Sequence, residues 1–129
     1  MSLVRLLDRG YTMIWREGRL EDALRGLEDD FEWVVPDHPE GAVRHGAEEA
    51  IAFFREWVEP WDDFELDWEI EEAGPDRALA AIDMRGRGRG SGVPTEMSFF
   101  QLWTFREGRA VRMEMFWDLD EARRAAGLR

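Results

Sequence analysis

Residues 64–72 read FELDWEIEE, and the alternation in them runs without a fault as far as Glu71. Phe64, Leu66, Trp68 and Ile70 fall on one side; Glu65, Asp67, Glu69 and Glu71 fall on the other. Successive side chains of an extended chain point to opposite faces, so the pattern predicts a strand with one face buried and the other in water. A helix would scatter the four apolar residues around its circumference. A strand of this kind calls for an antiparallel sheet covered on one side.

More strands follow. Gly74-Pro75-Asp76 is a turn signal, and RALAAIDMRGR (77–87) reads as the next strand. VPTEMSFFQLWTF (93–105) is apolar on both faces, as a central strand would be. Arg106-Glu107-Gly108-Arg109 is a tight hairpin signal, AVRMEMFWD (110–118) closes the sheet, and DEARRAAGL (120–128) reads as a short helix. The first half is mostly helical. Leu3, Leu7, Tyr11 and Ile14 make an apolar stripe flanked by Val4 and Trp15, predicting a helix from Leu3 to Glu17 that Gly18 ends. Leu20, Ala23, Leu24 and Leu27 fit a second, shorter one. FEWVV (31–35) is rich in aromatic and β-branched residues and stops at Pro36, so it reads as a strand. Residues 36–46, with two prolines and two glycines, read as a loop. A third helix starts near Ala47, with Ile51, Phe54 and Val58 on one face beside Ala50, Phe53 and Trp57, and Pro60 breaks it. The expected architecture is α+β: one domain over residues 1–129, three helices laid over the concave face of a curved antiparallel sheet, and a short C-terminal helix.

The stretch RGRGRGSG (85–92) invites a nucleic-acid reading. Arg85, Arg87 and Arg89 share one face of a strand, while Gly86, Gly88 and Gly90 leave the other nearly bare. Bare positions permit twist, a bulge or close approach of another segment. The plain reading is a twisted hairpin end with solvated arginines; a charged lip beside an acidic pocket or partner is the other. The net charge of −12 argues against phosphate polymers and anionic membrane surfaces alike. The absence of cysteine rules out disulfides, thiolate metal sites and a cysteine nucleophile. The N-terminal stretch carries arginines and an aspartate and lacks the apolar core of a signal peptide, and no run approaches a membrane span, so a cytoplasmic location is expected. Seven tryptophans in 129 residues are more than one small core needs.

Four stretches, WREGRLEDALRGLEDDFEW (15–33), RHGAEEAIAFFREWVEPWDDFELDWEIEE (44–72), RGRGRGSGVP and QLWTFREGRAVRMEMFWDLDEA (101–122), together resemble SnoaL-like proteins of the nuclear transport factor 2-like superfamily. The resemblance covers nearly the whole chain. It implies a cone-shaped fold with a deep pocket between helices and sheet, often a homodimer, and a small hydrophobic molecule as ligand; no cofactor and no metal are called for. Because one fold hosts isomerases, cyclases, hydrolases, dehydratases and plain binders, it implies no single activity. An interaction module built on the exposed sheet face is a third reading.

Under that resemblance the pocket lining is expected from Tyr11, Trp15, Trp33, Phe54, Trp57, Gln101 and Trp103. Asp83 stands in the apolar strand ALAAIDMR with Arg85 two residues on, similar to the water-activating arrangement of limonene epoxide hydrolase in the same superfamily; solvent-facing strand-end charges are the alternative. Glu114, Phe116 and Asp118 share a face of the last strand. Phe116 and Asp118 resemble the aromatic-x-aspartate that many SnoaL-like proteins carry there, which implies an acid–base role for Asp118. The competing reading is that Asp118 or Asp120 caps the last helix. His38 and His45 lie in the loop after the first strand, and no third ligand at a recognised spacing supports a metal there. Ketosteroid isomerases of the superfamily place a base aspartate just before the proline that ends the first strand. Val35 stands there, which disfavours steroid isomerisation despite Tyr11 on the first helix.

Overall fold

A computed structural model describes residues 2–35 and 43–128. In chain order the elements are α1 (Leu3–Trp15), α2 (Leu20–Leu24), β1 (Glu32–Val34), β2 (Val43–His45), α3 (Gly46–Val58), β3 (Trp61–Glu72), β4 (Arg77–Gly88), β5 (Pro94–Arg106), β6 (Arg109–Phe116) and α4 (Leu119–Ala126). The strands form one sheet in the order β2-β1-β6-β5-β4-β3. The expected α+β architecture is present, with two differences. The sheet is mixed, because β1 lies parallel to β6 with Trp33 opposite Met113. Residues 43–45, expected as loop, form β2, antiparallel to β1. Three residues carry too little pattern to announce a strand; the backbone partners offered by β1 create it. His38 lies outside the described residues, and His45 ends β2 on the surface, just before α3.

The sheet's inner face carries the main core. Leu7 and Tyr11 of α1, Leu24 of α2, and Ala50, Ile51, Phe53 and Phe54 of α3 pack on Leu66, Ala80, Ile82, Phe99, Trp103 and Met113. The outer face carries a smaller core. There Ala122 and Ala126 of α4 cover Leu79 and Leu102, with Phe100 and Phe116 alongside. β5 is therefore buried on both faces at its centre, which explains why its sequence lacks alternation. α4 ends at Gly127 in the left-handed conformation, φ 73°. Its last carbonyls, Ala125 and Ala126, accept from the Arg77 guanidinium at 3.0 and 3.1 Å.

The arginine–glycine stretch is a hairpin end pressed against a bulge. The pairing of β3 with β4 slips between Asp62 and Glu65, with Asp63 at φ 49°, so that Trp61 and Phe64 both reach the inner side. Phe64 then lies so close to Gly86 that a Cβ there would sit 2.9 Å from Phe64 Cβ and 3.4 Å from its Cα. Arg85 pairs with Asp67 and Glu65 at 3.3 and 3.5 Å, and Arg89 with Asp62 at 3.3 Å, all exposed. The other hairpin, at Glu107-Gly108, has both residues at positive φ, 53° and 77°, as a two-residue turn between right-twisted strands requires.

Candidate functional site

Strand parity decides which side chains can meet. On β4, Ala80, Ile82 and Met84 face the helices; on β5, Phe99, Gln101 and Trp103 do; on β6, Met113 and Met115 do. Trp33 of β1 joins them from the neighbouring strand, and Trp15 of α1 with Phe53, Phe54 and Trp57 of α3 close over the top. Between these residues lies a cavity lined by Trp15, Trp33, Phe54, Trp57, Phe99 and Gln101, with Phe53, Ile82 and Met115 completing the wall. Its interior is narrow. About 10 Å³ is open to the centre of a water-sized atom, within about 310 Å³ of atom-free space that runs out to solvent.

Aromatic rings connect that interior to the surface. Trp33 and Phe54 lie 5.4 Å apart between ring centres, Phe54 and Trp15 5.0 Å, Trp15 and Trp57 6.2 Å. Trp57 and Phe99 follow at 5.5 Å, and Phe99 and Trp117 at 5.8 Å. Trp33 is 2% exposed and Trp117 44%. The run therefore leads from the deepest ring to the most exposed one, in the tilted and edge-on geometries that aromatic pairs favour.

One buried polar chain crosses this apolar interior. An indole N–H only donates, so Trp103 Nε1 gives its hydrogen to Tyr11 Oη at 2.8 Å, and the hydroxyl passes its own to Gln101 Oε1 at 2.6 Å. Burial drives the Tyr11 phenol well above its ordinary value, and the Trp103 hydrogen bond opposes only part of that rise. Tyr11 and Trp103 also line a second hollow of about 430 Å³ between α1, α2 and the β5–β6 hairpin, where Arg109 pairs with Glu28 at 2.7 Å. Gln101 lines the first cavity, so the Tyr11–Gln101 bond runs through the wall between the two. Two more indoles on the first cavity, Trp15 and Trp33, have buried Nε1 atoms with no hydrogen-bond partner.

Of the residues expected to line a pocket, Trp15, Trp33, Phe54, Trp57 and Gln101 meet at this cavity, while Tyr11 and Trp103 stand behind it. Sequence reading missed Phe53, Phe99, Ile82 and Met115. The signal for Phe99 was present: it shares parity with Gln101 and Trp103.

The charged candidates lie elsewhere, and their expected meeting in the pocket is corrected here. Asp83 and Arg85 have the opposite parity to Ile82 and Met84 and stand exposed on the outer face. They do not pair with each other. Asp83 Oδ1 accepts from Ser98 Oγ at 2.6 Å, and Arg85 reaches Asp67 and Glu65. Glu114 accepts from Arg112 Nε at 3.2 Å on the same outer face, and Phe116 packs under α4. Asp118 is exposed and caps α4, its Oδ2 accepting from the Glu121 backbone N–H at 2.9 Å. The inner positions of β6 belong to the methionines because bulky apolar side chains fill the space under the helices, and the alternate residues must then face outward. Among the described residues no group of three His, Asp or Glu side chains is placed to hold a metal ion, and no helix is long and apolar enough to cross a membrane.

Comparison with known proteins agrees with this construction. Residues 7–113 match the SnoaL-like domain model, and the chain belongs to that family. No curated protein matches the sequence. Among solved structures, a nuclear transport factor 2-like protein of unknown function from Burkholderia pseudomallei shares 28% identity with a TM-score of 0.75, over 96% of this chain and 97% of that one. TerC, co-crystallised with polyporic acid, shares 22% identity with a TM-score of 0.73, over 96% and 97%. A ketosteroid isomerase-like-fold protein from Catenulispora acidiphila, in complex with trimethylamine, shares 14% with a TM-score of 0.69, over 94% and 92%. The last two likenesses establish a common fold.

Proposed function

We propose that this protein binds a small, largely apolar molecule in the cavity between α1, α3 and the inner face of the sheet. The observation that carries the reading is the composition of that wall: aromatic rings, an isoleucine, a thioether and one amide, with hydrogen-bonding atoms only at a few points. Such a wall offers area and shape. Among its described residues there is no carboxylate or imidazole to move a proton near neutral pH. The acid–base role that the family resemblance implied for Asp118, and the water-activating role considered for Asp83 with Arg85, are therefore left out of the proposal. Binding of polyporic acid by TerC and of trimethylamine by the Catenulispora protein supports small molecules as the ligand type.

The narrow interior requires the rings at the mouth to move aside for any ligand larger than a few atoms. Trp57, half-buried and in edge contact with Phe99, is the ring placed to do so. The test is a melting-temperature and tryptophan-fluorescence titration with bicyclic aromatic compounds such as naphthalene. A ligand at a hundredfold excess over its Kd stabilises the folded state by about 2.7 kcal/mol, which raises the melting temperature by several degrees in a chain of this size. Trp57→Ala should widen the mouth and shift the preference toward larger ligands. If no bicyclic aromatic either raises the melting temperature or quenches fluorescence, the reading is wrong.

A further inference from the structure

Glycine is kept in a folded chain for two common reasons: a positive φ, or a neighbour too close to admit a Cβ. Gly10, inside α1, and Gly26, shortly after α2, have neither, and a Cβ built on either meets nothing within 4 Å. A glycine inside a helix costs stability against alanine. Both line the hollow of about 430 Å³ between α1, α2 and the β5–β6 hairpin, where their bare backbone leaves a trough open. Half-buried Leu6, Ile14, Leu27 and Ala110 line it as well, with buried Leu24 and Phe105 beside them. Tyr11 and Trp103 reach it too, but their polar atoms are engaged with each other and with Gln101. The trough is therefore largely aliphatic where the first cavity is ringed by aromatics. Leu6 to Ile14 runs about 12 Å along α1, the reach of an octyl chain.

The charge sits at one end. An adjoining hollow shares Leu6 and Gly108 with the trough and brings in Glu72, the last residue of β3. Of the described residues lining the two, the charged ones are Glu28, Arg109 and Glu72. Glu28 and Arg109 satisfy each other at 2.7 Å. The exposed Glu72 carboxylate has no ion-pair partner among the described residues. Aliphatic surface thus ends beside an uncompensated carboxylate, on a chain of net charge −12. An anionic head is repelled there and a cationic one is drawn in. We propose that this trough is a second binding site, separate from the aromatic cavity, for an aliphatic molecule with a cationic head, of the alkylamine class, its tail against Gly10 and Ile14 and its head beside Glu72.

The probes are octylamine and octanoate, equal in tail and opposite in charge. Each is titrated by calorimetry, at low ionic strength and below micelle-forming concentrations, into the parent protein, Gly10→Leu, Gly26→Leu and Glu72→Gln. Octylamine should bind the parent more tightly than octanoate. Each leucine variant fills the space of at least two methylenes of the tail, at about fourfold in affinity for each, so octylamine binding should weaken about tenfold or more in both. Glu72→Gln leaves the tail site in place and should narrow the octylamine-to-octanoate ratio about twofold to fivefold, the effect of one exposed charge pair. If Gly10→Leu does not fold, Gly26→Leu, outside any helix and without a positive φ, carries the tail test. No octylamine binding to the parent, or parent-like affinity in the leucine variants that fold, would overturn the site. A ratio of one in the parent, or a ratio that Glu72→Gln leaves unchanged, would overturn the cationic head and the proposal with it. None of these outcomes depends on whether the aromatic cavity binds a ligand.

Discussion

The two faces of the same sheet make different proteins of this chain. The inner face holds tryptophan, phenylalanine, methionine and one glutamine, closed over by three helices. The outer face holds Asp83, Arg85, Glu114 and the strand-end Asp118, all tied up in local ion pairs, a hydroxyl hydrogen bond or a helix cap. Adjacent residues on one strand, Ile82 and Asp83 or Met115 and Phe116, live in these two environments one residue apart. An inventory of reactive side chains along the sequence favours the outer face, yet the enclosed space lies behind the inner one. Reactive residue types mark a site only when the fold encloses them.

The sharpest way to break this contrast is to exchange severity across the sheet. Trp33→Ala should destabilise the fold by about 3–5 kcal/mol, as a large aromatic truncated in a core does, whereas Asp83→Asn should stay within about 0.5 kcal/mol. Chemical denaturation of the two variants measures both, and comparable losses would erase the distinction between the faces.

Next in size is Tyr11→Phe. It removes the hydroxyl that joins Trp103 to Gln101 and leaves both unsatisfied, for a loss of about 1–3 kcal/mol. The same residue gives a pH signature. Its folded pKa is raised, so the neutral phenol is favoured in the folded state. That stability is fully present below the unfolded value near pH 10 and is lost as pH rises above it. The slope is about 1.4 kcal/mol per pH unit. The sequence contains one tyrosine, no cysteine and no lysine, so no other side chain titrates between pH 9 and pH 11. Stability followed by urea unfolding across that range should decline in the parent and stay flat in Tyr11→Phe; a flat parent would mean that the phenol is not buried.

The smallest effect belongs to Asp118. Removing the cap in Asp118→Ala should cost about 1 kcal/mol and leave ligand affinity at the inner cavity unchanged. A large change in affinity with little change in stability would return Asp118 to the functional site.

Much of this was legible in the residues. The alternation of β3 from Phe64 to Glu71, the two-faced run of β5, the apolar stripes of α1 and α3, and the hairpin signal at Glu107-Gly108 each follow from local chemistry, and together they imply helices over a sheet. The pocket rings needed the family resemblance as well: under it Trp15, Trp33, Phe54 and Trp57 were expected at a pocket and meet there, while Tyr11 and Trp103 from the same expectation stand behind it. What was misjudged was sidedness. β6 has Met113 and Met115 on one side and Glu114 and Phe116 on the other, and β4 has apolar residues on both, so alternation defines two faces without saying which one the helices cover. Asp118 could be read as an acid or as a cap from the same letters, and the backbone N–H of Glu121 settles which hydrogen bond it makes.

By itself, then, the amino-acid order determined the elements, their periods and the supply of aromatic rings, since those depend on neighbours a few positions away. Only the tertiary structure decided the parallel seating of β1 on β6, the creation of β2, the bulge that presses Phe64 on Gly86, and the outward turn of the carboxylates. Each of these depends on a partner distant in sequence. A one-residue change of register exchanges the two faces of a strand, and that choice is made where strands and helices compete to fill the same space.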